Sequence, residues 1–225
     1  GVHRFAQADD INPLLVRVFR ALRAGDDSAD PAAAFYASRD DLLQRIRLPE
    51  WEALDRATTV RQLLPGEVLF HAGEAQPRVF VVNQGLIKMV YETAVGEAWV
   101  KGFVPAGMCF ASLTALQPGG VTSYTALAEG GPCTVEQIDH AALEALAARH
   151  MGWQRALSNA YRMYGQRKEQ REMELLTLSP EERYRRFLQQ HPQIAAQVRQ
   201  RDIASYVRVT PVALSRIKAR ILRGG

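Results

Sequence analysis

Residues Val79–Met89 read VFVVNQGLIKM: an apolar run, a polar pair with a glycine, then a second apolar run. Runs this short suit buried strands better than helices, and Gly85 offers the positive φ of a tight connection. The stretch predicts two strands, Val79–Val82 and Leu86–Tyr91, joined by a turn. Just upstream, LLPGEVLFHAGE (Leu63–Glu74) follows the same scheme with Gly66 and Gly73 as its punctuation.

The same texture extends outward from Thr59 to Ile138. Further strands are predicted near Val60–Leu63, Val68–Phe70, Ala98–Phe103, Tyr124–Ala128 and Cys133–Ile138, with Gly96, Gly107, Gly119–Gly120 and Gly130–Gly131 between them. Many short strands at this spacing predict a double-stranded β-helix or jelly roll. After Asp139, which can cap the helix HAALEALAARH, the text is helical to its end. A long helix is expected from about Trp153 to Leu178. Its Trp153, Leu157, Tyr161, Tyr164 and Leu175 recur at near-helical spacing around a polar centre, QRKEQRE. A helix projecting from a β domain buries one face against something, and these five residues are the candidate dimerisation face. Ser179-Pro180-Glu181-Glu182 is a capping box with Pro at the first helical position. It opens the helix EERYRRFLQQ, with Tyr184, Phe187 and Leu188 inward, which His191-Pro192 ends.

The last stretch, IASYVRVTPVALSRIKARI (Ile203–Ile221), carries two apolar-periodic runs meeting at RVTP. Asp202 is the expected cap of the first helix, and Thr210, with Pro211 after it, the cap of the second. Leu214, Ile217 and Ile221 form the inward face of that second helix. Val212, Ser215, Arg216, Ala219, Arg220 and Arg223 face outward, with Lys218 on a flank. Two helices locked by a turn of three to four residues, the second basic and presented outward, read as a helix-turn-helix. Small residues allow close approach to a major groove, arginine can pair bidentately with guanine, and the other basic residues would grip phosphate. The candidate DNA contacts are Thr210, Pro211, Val212, Ser215, Arg216, Lys218, Ala219 and Arg220.

Charge agrees with that reading. Up to His150 there are 13 Lys/Arg against 18 Asp/Glu, a balance of −5; from Met151 there are 15 against 6, a balance of +9. A basic C-terminal third on an acidic body is the electrostatic footprint of a polyanion binder. Hydrophobic residues make up 47% and charged residues 23%, which places the chain among ordinary globular proteins. No apolar run approaches the roughly 18 residues of a membrane span, no secretory leader is visible, and two cysteines cannot build a disulfide framework. A reduced cytoplasm is the expected setting. The expected divisions are an N-terminal extension (1–38), a β-roll (39–150), a dimerisation helix (151–178) and a DNA-binding domain (179–225). Within the extension, Asn12-Pro13 opens a helical piece ended by Gly25. A second, RDDLLQRIRLPEWEALDRA, leads into the roll.

In this order of parts, LLPGEVLFHAGE, VFVVNQGLIKM, LLTLSPEERYRRFL and IASYVRVTPVALSRIKAR together resemble the Crp/Fnr family of bacterial transcription regulators. The resemblance covers roughly Asp41 to Ile221. It implies an α+β chain with a cyclic-nucleotide-binding-like (cupin-like) roll, a long dimer helix and a winged-helix type of DNA-binding domain. It further implies a cytoplasmic homodimer on double-stranded DNA, with RNA polymerase as a partner and no membrane. By this resemblance a wing hairpin would follow the terminal helix; up to Gly225 it is absent or must come from elsewhere, which leaves open how the flanking phosphates are held. Arg208 stands where the family's turn often carries Gly.

In the cyclic-AMP-binding members, a cassette carries Gly-Glu-Leu and, some nine residues later, Arg-Ser. By this resemblance the cassette falls on ASLTALQPGGVTSYTAL. Ala111-Ser112-Leu113 then replaces the first motif and Thr122-Ser123 the second, so both the carboxylate and the cation are lost. A cyclic phosphate would forgo a charge-assisted contact worth about 2–3 kcal/mol. The resemblance thus implies an effector other than cyclic AMP, or none, near Ser112, Leu113, Thr122 and Ser123, with Arg167 as a substitute cation. No cofactor is required. Two cysteines cannot hold an iron–sulfur cluster, and His71 and Cys109 are haem-ligand candidates by residue type alone. Two rivals remain: a regulatory protein acting through protein partners, and a cupin-like enzyme. The strand region Thr59–Ile138 contains only His71, with no His-x-His pair, nucleophile elbow, P-loop or zinc spacing. No metal site is expected.

Overall fold

The β-rich text closes into two packed antiparallel sheets. The structure, a computed structural model, describes residues 48–223; the helical pieces expected before Leu48 lie outside the described residues. A short helix, α1 (Trp51–Arg56), leads into eight strands: β1 (Thr58–Leu63), β2 (Val68–Phe70), β3 (Arg78–Gln84), β4 (Leu86–Glu92), β5 (Ala98–Pro105), β6 (Cys109–Phe110), β7 (Thr125–Ala128) and β8 (Cys133–Asp139). One sheet has the order β1-β8-β3-β6 and the other β2-β7-β4-β5. Phe70, Phe80, Phe110 and Tyr124 meet between the sheets, with ring centroids 5.1 Å (Phe70–Phe80), 5.2 Å (Phe80–Phe110) and 5.5 Å (Phe70–Tyr124) apart. Gly85 turns β3 into β4 at φ +86, where an added Cβ would stand 2.5 Å from the Pro132 carbonyl oxygen. No other residue fits there.

Seven strands fall where the sequence predicts them, while β6, two residues long, was not expected. Six helices follow α1 and the roll: α2 (His140–Arg149), α3 (Met151–Thr177), α4 (Pro180–Gln190), α5 (Pro192–Gln197), α6 (Gln200–Tyr206) and α7 (Pro211–Arg223). The Asp139 carboxylate caps α2 by accepting from the Ala141 N–H. Ser179 and Glu182 form the predicted reciprocal capping box of α4. His191-Pro192 ends α4 but also starts α5, which the sequence reading missed. Asp202 corrects another expectation. Arg199 is the N-cap of α6, and Asp202 lies buried in its first turn.

The terminal helices α4–α7 share one apolar core, with Phe187, Ile203, Val207, Leu214 and Ile217 all buried. That core is continuous with the roll through Leu86 of β4 and Phe103 of β5. β4 is therefore covered on both faces: Ile87 and Met89 point between the sheets, and Leu86 points into the terminal core.

Candidate nucleic-acid interface and effector cavity

Helices α6 and α7 are joined by Val207–Thr210. Arg208 holds the left-handed conformation at φ +63, where a non-glycine residue costs roughly 1–2 kcal/mol. Its guanidinium lies 4.0 Å from the Trp99 ring, so the strained turn is tied to the outer face of β5. The Thr210 hydroxyl caps α7 by accepting from the Ala213 N–H at 3.2 Å. Leu214 and Ile217 are buried and Ile221 partly so, as the spacing predicts. Thr210, Pro211, Val212, Ser215, Arg216 and Arg220 are exposed, and Lys218 and Ala219 half-exposed. Two of the cations are occupied: Arg220 pairs with Glu181 at 3.2 Å, and Lys218 donates to Gln200 at 3.0 Å. Arg216 has no ion pair among the described residues.

The first turn of α7 overlooks a cleft of about 620 Å³ between the terminal helices and the roll, lined by Glu92, Glu97 and Trp99 among others. Across its floor the Lys88 ammonium of β4 pairs with Glu129 at 2.5 Å and Asp202 of α6 at 3.2 Å, all three residues buried. Beside it, the Val100 N–H donates to the Ser205 hydroxyl at 2.8 Å. Arg171 of α3 stacks 4.0 Å from the Tyr206 ring and donates to the Tyr206 carbonyl, while Arg183 donates to the Val207 carbonyl at 2.9 Å. These guanidinium groups satisfy carbonyls that the end of α6 leaves open. The sequence reading assigned no role to Lys88, Arg171 or Arg183.

A second cavity, of about 150 Å³, lies between the roll and α3 and is almost wholly apolar. Leu113 and Arg167 line it, as do Leu157, Tyr161 and Tyr164. The hydroxyls expected beside them turn elsewhere. Ser112 Oγ accepts from the Ser123 N–H at 3.0 Å, and Thr122 Oγ1 donates to the His71 carbonyl at 2.6 Å. They hold the loop's own shape instead of facing the cavity. Among the expected dimerisation residues, Trp153 is buried within the chain beside Leu54 and Ile138, its indole donating to the Pro49 carbonyl at 2.8 Å. Tyr161 meets the His140 ring at 3.0 Å, and Leu175 is exposed next to Met173 and Leu176. His71 lines the cleft and Cys109 the apolar cavity, so the two are not brought together. Burial pushes the Cys133 thiol up to about 11. Among the described residues no His/Cys/Asp/Glu cluster could hold a metal, and no helix is long and apolar enough to cross a membrane.

Residues 60–150 match the cyclic nucleotide-binding domain family. Among solved structures, FixK2 from Bradyrhizobium japonicum is similar, with TM-score 0.63 and 20% identity over 75% of this chain and 86% of that one. The c-di-GMP-responsive global regulator CLP, which links cell–cell signalling to virulence gene expression in Xanthomonas campestris, gives TM-score 0.61 and 16% identity over 77% and 91%. OCPA-complexed CprK gives 0.58 and 16% over 78% and 85%. No curated protein matches the chain by sequence. A cyclic nucleotide-binding domain at residues 60–150, followed by a long helix and four shorter ones, gives this chain the fold of the Crp/Fnr-type regulators.

Proposed function

We propose that the chain is a DNA-binding transcription regulator that acts as a homodimer on a pseudo-palindromic operator. The observation that carries this reading is the outer face of α7. It is exposed and basic, it is built on small residues, and Arg216 stands at its centre with no ion pair among the described residues. In a two-fold dimer, two such helices would enter successive major grooves about 34 Å apart. Arg216 is the base-reading residue, flanked by Val212 and Ser215. Thr210, Lys218 and Arg220 grip phosphate, and Arg220 must leave Glu181 to do so. On this reading the exposed Leu175 lies in the dimer contact, with Met173 and Leu176 beside it. The roll responds to a small effector other than cyclic AMP, because the position where the resemblance places the phosphate-neutralising arginine holds Thr122, whose hydroxyl is spent on the His71 carbonyl.

The test is selection of a binding site from random duplexes, followed by gel shift on the selected site and on random duplex at several salt concentrations. Arg216→Ala should weaken specific binding about 10- to 100-fold while leaving non-specific binding nearly unchanged. An equal loss on both duplexes would make Arg216 a phosphate contact, and no selected site would reject the reading. Isothermal titration with cyclic AMP should show no micromolar binding.

A further inference from the structure

Lys101 sits at an irregularity of the β4–β5 ladder. Met89 pairs with Gly102 and Val90 with Val100, which leaves Lys101 without an opposite residue. An extra residue of this kind is a β-bulge, and bulges re-aim the side chain they carry. Here the Lys101 ammonium stands 4.6 Å from the ring centroid of Tyr124, with Tyr91 at 5.9 Å and Tyr164 of α3 at 6.0 Å. Among the described residues no carboxylate pairs with it. Burial, reinforced by the neighbouring Lys168 charge, pulls its pKa down to about 8. Beside it, Tyr124 is 1% exposed, and its hydroxyl has no hydrogen-bond partner among the described residues. The Tyr91 hydroxyl is bonded to Ser123, so the group lies directly against the loop that holds Ser112 and Thr122.

A half-buried ammonium with no carboxylate partner among the described residues and an unmet buried hydroxyl both destabilise a fold. Two such groups side by side are what a site for an anion needs in its empty state. We propose that Lys101 and Tyr124 bind a small carboxylate, each donating to one carboxylate oxygen within the cage of Tyr91, Tyr124 and Tyr164. One positive charge and two donors match a carboxylate's single charge and two oxygens. A phosphate has more acceptors and charge than this pair satisfies, and a neutral ligand would leave the ammonium unpaired. Tyr164 and Lys168 belong to α3 and the other members to the roll, so a bound carboxylate bridges sensor and helix. The inference rests on reading the roll as an effector-binding domain and names the effector's class.

Calorimetry and thermal unfolding of the full chain with benzoate, acetate, inorganic phosphate and cyclic AMP at constant ionic strength test it. Benzoate or acetate should bind saturably and raise Tm, while phosphate and cyclic AMP do neither. Lys101→Met should have a probe-free Tm equal to or above the wild type, and should bind the carboxylate at least about tenfold more weakly. Tyr124→Phe should have a probe-free Tm equal to or above the wild type and lose about tenfold in binding. The proposal is overturned if neither carboxylate binds, if Lys101→Met binds like the wild type, or if that variant lowers the probe-free Tm, which would make the lysine structural. Binding of phosphate or cyclic AMP through Lys101 would overturn the carboxylate assignment. Carboxylate binding that persists in a chain showing no selected DNA site would fail the regulator reading alone.

Discussion

Lys101 sits at a break in the β4–β5 register and Arg208 in the left-handed region, and each makes a measurable prediction. Burial lowers the Lys101 pKa from its ordinary 10.5 to about 8, so between those values the unfolded chain binds more protons than the folded one. Stability contributed at this position therefore rises with pH through that window. Lys101 faces Tyr91, Tyr124, Tyr164 and Lys168, and comparison with Lys101→Met cancels their own titration. The expected outcome is that the stability deficit of wild type relative to Lys101→Met, measured by urea unfolding, shrinks from pH 7 to pH 10. At φ +63, Arg208→Gly should be more stable than Arg208→Ala by about 1 kcal/mol, since both lose the Trp99 contact and only Gly is free of strain. The departure from Gly at 208 was legible in the sequence. The role of Lys101 was not, because a bulge depends on which residues of β4 and β5 are paired, and the pattern AWVKGFV does not disclose that register.

Element boundaries were set mostly by local chemistry. The box at Ser179 and Glu182, the Thr210 cap and the Asp139 cap all satisfy helix N–H groups as their spacing requires. Ser179→Ala should cost about 1 kcal/mol of stability in urea unfolding, because it frees one orphan donor while Glu182 can still bond the cap N–H. The failures at this scale have a shared cause. β6 is too short to have a period, and it exists because Phe80 and Val81 offer a paired edge to Phe110 and Cys109. Asp202 had a capping residue's chemistry, but its carboxylate is held by Lys88 from a strand 114 positions away. A long-range ion pair overrode the local preference, and the helix began earlier, at Gln200.

At the scale of the molecule, the roll and the terminal helices are joined by the Lys88–Glu129–Asp202 cluster, the Arg171 and Arg183 contacts and the shared core at Leu86 and Phe103. Lys88→Met would leave two buried carboxylates facing one another, whereas Asp202→Asn leaves Lys88 still paired with Glu129. The first should therefore cost about 3–5 kcal/mol and the second roughly 1–3, read as a shift in the urea midpoint followed by tryptophan fluorescence. The order of parts, their helical or extended character and the outward basic face of α7 were determined by the sequence alone, because glycine punctuation, caps and apolar period act over a few residues. Tertiary structure decided how those parts join. It covered the outer face of β4 with the terminal core, turned Ser112 and Thr122 into loop struts, and brought a bulged lysine over the ring of a buried tyrosine. Each of these depends on strand register and on charges distant in sequence being desolvated together, and neither can be read from spacing.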